Sequence, residues 1–130
     1  MTRSFLLIVG AIFAAYGIAC ALDPALPARL AGLTIINGDG FAEMGAMYGG
    51  LQVGVGLFCI LAALQPALQR GALLLLLLSI GLLAVMRGTS TLRTDELVTA
   101  YTWGALAFET LVTACAAALL LRAGQSAASA

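Results

Sequence analysis

The chain reads as an all-α bundle of four transmembrane helices, with a short interfacial segment between the first and second. Three observations predict this. Hydrophobic residues make up 62% of the 130 residues and charged residues only 9%, with a mean hydropathy of +1.08. An average soluble domain is about 25% charged. Twelve charges, six Arg against six Asp plus Glu, cannot cover a water-soluble surface. The apolar residues also fall into four runs near the roughly 20 residues that a helix needs to cross the hydrocarbon core.

The first run spans Ser4 to Leu22 and ends at Asp23-Pro24. It has two readings. Arg3, the apolar stretch and Ala19-Cys20-Ala21 resemble a signal peptide with a cleavage site. The run is longer than an ordinary signal core of about 7–15 residues, which favours a membrane helix. After it, Leu26, Leu30 and Leu33 recur at helical spacing around Arg29, the pattern of a short helix lying in the interface. Leu33 to Ile36 reads as extended, and Asn37-Gly38-Asp39-Gly40 as a turn.

The second run spans Phe41 to Leu64 and stops at Gln65-Pro66. The third spans Gly71 to Val85 and continues past Arg87. Its leucine run, Leu73 to Leu78, marks it as the most lipid-exposed of the four. The polar stretch Gly88 to Thr99 leads into the fourth run, Val98 to Leu121. One domain covers residues 1–123, and the Gly/Ser/Ala-rich residues 124–130 read as a disordered tail. Arg3, Arg70 and Arg122 stand without neighbouring acids at the ends that face the cytoplasm if both termini do.

Composition excludes several functions. A water-soluble enzyme and a disordered chain do not fit the apolar content. Nucleic-acid binding needs a basic surface, and the formal net charge is zero. There is no His, so imidazole-based metal, haem and triad chemistry is missing, and no metal or other cofactor is expected. Cys20, Cys59 and Cys115 lack metal or redox spacing and read as small buried hydrophobes.

Lipid is as apolar as Leu, so membrane helices associate through small residues and polar links. Gly10, Ala14, Gly17 and Ala21 share one stripe of the first helix. Gly45, Gly49, Gln52 and Gly56 share one of the second at the same spacing, which predicts that these two helices pack closely. Glu43, Met47, Gly50 and Gly54 form a second face. Thr102, Ala105, Glu109, Thr113 and Ala116 form a small, polar seam on the fourth helix.

Three ionisable residues lie within the spans: Glu43, Arg87 and Glu109. A charge at mid-membrane costs at least about 2.5–3.5 kcal/mol, so Glu109 must face inward and be paired or neutral. Topology places all three in the same half of the bundle. Tyr16, Tyr48 and Gln52 are the candidate hydrogen-bond partners. The cluster has three readings: a clamp that fixes helix order, a ligand pocket, or acid–base chemistry.

The stretch Ala42-Glu43-Met44-Gly45-Ala46-Met47-Tyr48-Gly49-Gly50-Leu51, followed by Gly54 and Gly56, resembles the bacterial domain-of-unknown-function 4345 family of small four-helix membrane proteins. Tyr16-Gly17, Asp23-Pro24, Arg87 and Glu109 resemble it too, so the likeness covers about Phe5 to Arg122. Where the family pattern carries Arg, this chain has Gly45, which leaves Arg87 as the internal cation. The resemblance implies an architecture and no reaction. The resulting expectation is a non-enzymatic inner-membrane protein that binds a lipid-like molecule or serves as an accessory subunit. Its partners would be membrane lipids, other membrane proteins or itself. The alternative is a small isomerase-like enzyme with Glu43 and Glu109 as acid and base.

Overall fold

The computed structural model describes the backbone of residues 1–128 and side chains through Gln125. Five helices account for nearly all of it: α1, Thr2–Leu22; α2, Ala25–Ala31; α3, Gly38–Leu64; α4, Pro66–Thr91; and α5, Ala100–Ala128. All except α2 are long and apolar enough to cross a membrane. No strand occurs among the described residues.

The helix ends follow local chemistry, and several differ from the sequence boundaries. α3 starts at Gly38, because the Asn37 side chain caps it by accepting from the Gly40 N–H at 3.0 Å. Asp39 then lies in the first turn, where the helix dipole favours a carboxylate. The residues expected to form a turn are therefore the start of a helix. α4 starts at Pro66 rather than Gly71. Proline suits the first helical position, and it pushes the preceding Gln65 into an extended conformation at φ −117°, ψ 102°. That single residue separates α3 from α4. α2 ends at Gly32, whose φ of +70° is the left-handed cap that glycine adopts without strain. α5 runs on to Ala128. Ser129 and Ala130 lie outside the described residues.

Two π-helical segments interrupt the long helices, Gly45–Gly50 in α3 and Leu76–Ile80 in α4. Neither is visible in the apolar periodicity. The first turns Glu43 by about 100° relative to Gly50 and Gly54, so those residues and Met47 do not form the straight stripe expected of them.

The chain divides into two compact units, one of residues 1–69 and one beginning at Arg70. The first is the antiparallel pair α1 and α3, with α2 at its turn. Its seam is made of glycines. A Cβ at Gly10 would lie 2.8 Å from the Gly56 carbonyl oxygen, and one at Gly17 only 2.6 Å from the Val53 backbone nitrogen. A Cβ at Gly56 would lie 2.5 Å from the Ala14 nitrogen, and one at Gly49 3.1 Å from the Ala21 Cα. Backbones this close leave no room for side chains, and the contact itself supplies the dispersion energy that lipid cannot. Leu6, Val9, Phe13, Cys20 and Cys59 fill the flanks of this seam as buried apolar groups.

The second unit pairs α4 with α5, again antiparallel. Ala72, Leu73, Leu76 and Ile80 are buried on α4, and Val112 and Ala116 on α5. Within their most apolar 18-residue stretches, 17% of α5 and 28% of α4 is buried. Leu73 and Leu76 of the leucine run face inward, whereas Leu74 and Leu78 face outward.

Gly56→Ala should destabilise the chain by about 1–3 kcal/mol through overpacking. Gly54→Ala, which meets open space, should be neutral or gain up to about 1 kcal/mol of helix propensity. Unfolding in detergent or bilayers, followed for both variants, checks the contrast.

Candidate functional site

The site lies between α4 and α5, and glycine makes room for it. A Cβ at Gly81 would stand 3.1 Å from the Thr113 methyl, and one at Gly88 3.8 Å from Leu106. Between these two approaches Arg87 meets Glu109. Glu109 is nine residues into α5, about 14 Å along its axis at 1.5 Å per residue. Arg87 stands one turn from the end of α4. Side chains on a helix lean toward its N-terminus. In an antiparallel pair, Arg87 therefore leans inward along α4 while Glu109 leans outward along α5, and the two close the gap in depth.

The guanidinium grips the carboxylate in a fork. Arg87 Nε donates to Glu109 Oε1 at 3.0 Å and to Oε2 at 2.9 Å, and Nη2 donates to Oε1 at 2.7 Å. The Glu109 side chain is 7% exposed and that of Arg87 25%. Paired planar groups of this kind make the strongest protein hydrogen bonds. They also suit arginine rather than lysine, because only arginine offers a rigid fork of donors. Thr113 donates its hydroxyl to the Glu109 backbone carbonyl at 2.7 Å, so a polar group on the seam stays satisfied within its own helix. No buried side-chain nitrogen or oxygen among the described residues lacks a partner.

The structure thus joins two of the three ionisable residues singled out in the spans. Glu43 belongs to the first unit, exposed on α3, two residues before the π segment that contains Tyr48. Tyr16, Tyr48 and Gln52 also belong to the first unit and are half-buried there. A Cβ at Gly17 would lie 3.0 Å from the Gln52 Cβ. Of the packing glycines, Gly10, Gly17, Gly49 and Gly56 sit at the α1–α3 crossing. A Cβ at Gly45 would lie 3.6 Å from Pro24, and one at Gly50 or Gly54 would meet open space. Among the described residues, no three Cys, Asp or Glu side chains converge as a metal site requires.

A second ion pair escaped the sequence reading. Asp23, where α1 ends, binds Arg29 of α2 and accepts the Ala25 N–H at 3.1 Å. The bond from Arg29 holds the Asp23 carboxyl below its ordinary value, and Asp23 in turn raises Arg29. Both side chains are about half exposed. The pair folds α2 back so that Pro27 and Ala28 are buried. Its signal in the sequence was an acid before a proline with an Arg six residues on, too short a pattern to stand out.

Four apolar helices of spanning length, with an internal arginine–glutamate pair, define a small polytopic helical membrane protein. The chain belongs to the family described as Domain of unknown function (DUF4345), whose pattern matches residues 1–120. No curated protein and no solved structure shows a significant similarity to it.

Removing one partner of a buried pair strands the other charge, which costs more than removing both. Arg87→Met should cost on the order of 3 kcal/mol, and adding Glu109→Gln should restore much of that. A double-mutant cycle in bilayers measures the coupling.

Proposed function

We propose that the protein is a non-enzymatic accessory subunit of a membrane assembly, held in the bacterial inner membrane with both termini in the cytoplasm. The observation that carries this reading is the forked Arg87–Glu109 contact. Both carboxylate oxygens are engaged by the guanidinium, and Glu109 is the buried acidic residue among the described residues. A general acid or base needs an oxygen turned toward substrate. A carboxylate locked in this way instead serves registry between two helices. Supporting it, each long helix keeps a broad apolar face outward, with Ile18, Leu57, Leu82 and Leu111 all more than half exposed. Such faces suit lipid and neighbouring helices alike, and they give a small protein most of its surface for docking within the membrane.

Photo-crosslinking residues placed at Ile18, Leu57, Leu82 and Leu111 in intact membranes test the reading. A discrete protein adduct at one or two positions, with lipid adducts at the others, is the expected result. Lipid adducts at all four positions contradict an accessory role. A single lipid species captured at one position would favour a lipid-binding protein instead. Topology is checked separately by reporters fused at the N-terminus, after Gln69 and at the C-terminus. All three should report the cytoplasmic side, as the placement of Arg3, Arg70 and Arg122 at those helix ends implies.

A further inference from the structure

We propose that the π turn Leu76–Ile80 is a one-residue insertion in α4 that sets the register of the Arg87–Glu109 pair. In a regular α-helix, residues five apart are about 140° apart around the axis. A π turn bonds each residue to the fifth one on, so residues five apart stack. Here Leu76, fully buried, opens the π turn, and Gly81 is the first residue after it. Gly81 is the residue whose Cβ would press on Thr113 of α5. Beyond Gly81 the helix is α again. Seven residues on, two full turns return to the same stripe at Gly88, the next glycine whose Cβ would meet α5, 3.8 Å from Leu106. Arg87 stands beside it and forks onto Glu109. With the π turn, Leu76, Gly81 and Gly88 line a single seam. Without it, and with the chain length unchanged, Gly81 and Gly88 would both swing off the Leu76 face.

Ser79 supports the turn from within. Its hydroxyl donates to the Leu75 carbonyl at 2.5 Å, giving a donor to a backbone oxygen at the edge where the α-helical ladder shifts. The sequence around it, leucines from Leu73 to Leu78 followed by Ser79, Ile80 and Gly81, gives no periodic hint of the extra residue. The hint is structural: two glycines that face α5 fall out of phase with the buried leucines by one residue.

If the turn is an insertion, deleting one residue inside it restores an α turn and leaves both flanks nearly in phase. Leu76 and Gly81 would then be four positions apart, about 40° around the axis. Deleting a residue after Gly81 instead rotates Gly88 and Arg87 by about 100°. The test uses Gly88→Cys with Leu106→Cys in a chain whose Cys20, Cys59 and Cys115 are replaced by Ala, with bridging by a short bis-methanethiosulfonate cross-linker read in membranes. The cross-link should form in the parent and survive deletion of Leu78 or, separately, of Ser79. It should be lost on deletion of Leu82 or, separately, of Leu83. Loss in both deletions inside the turn overturns the proposal, as does survival in both deletions after it.

Discussion

A carboxylate in the middle of an apolar helix is the constraint on which the second half of this protein is built. Glu109 cannot be hydrated at its depth, and an unpaired charge there would cost several kcal/mol. One helix must therefore bring a cation to it, at the right depth and on the right face. α4 does so with Arg87, through three hydrogen bonds of 2.7–3.0 Å. Gly81, where a Cβ would press on the Thr113 methyl at 3.1 Å, lets α4 and α5 approach closely beside the fork. The π turn then decides which face of α4 that glycine occupies. Charge, space and phase have to agree, and a fault in any one of them leaves Glu109 stranded.

The first unit solves the same association problem without charge. Between α1 and α3 the contact is backbone on backbone, with glycine on both sides of the crossing. Here steric exclusion carries the specificity: a single added methyl at Gly17 or Gly56 would meet main-chain atoms at 2.6 or 2.5 Å. The two hairpins thus use the two devices open to helices in lipid, small residues in one and a polar link in the other. The Asp23–Arg29 pair is of a third kind. It lies outside the spans, is half exposed, and shapes a turn more than it stabilises a core.

Much of this was legible in the sequence, because lipid imposes simple rules. Apolar run length located four spans, and Gly/Ala spacing identified the Gly10, Gly17, Gly49 and Gly56 contacts. Cost alone singled out Glu109, and chain position pointed to Arg87. The misses share a cause: each depends on one residue of backbone geometry. Asn37 extends α3 through a single capping bond. Pro66 starts α4 because it fits a first-turn position that composition treats as a break. The two π turns add a residue to a helical repeat without changing its hydrophobic character. Stripes read at about 100° per residue are therefore right on either side of a π turn and wrong across it, as Glu43 with Gly50 and Gly54 illustrates.

The central claim is that Glu109 is held by a direct guanidinium fork, and the contact can be measured directly. Solid-state NMR on protein in bilayers, with nitrogen-15 in arginine and carbon-13 in glutamate, reads the dipolar coupling between side-chain nitrogens and carboxyl carbons. A strong coupling from one arginine to one glutamate, abolished by Glu109→Gln and by Arg87→Met alike, is the result this structure predicts. The absence of any such coupling, or one that survives Glu109→Gln, would contradict it.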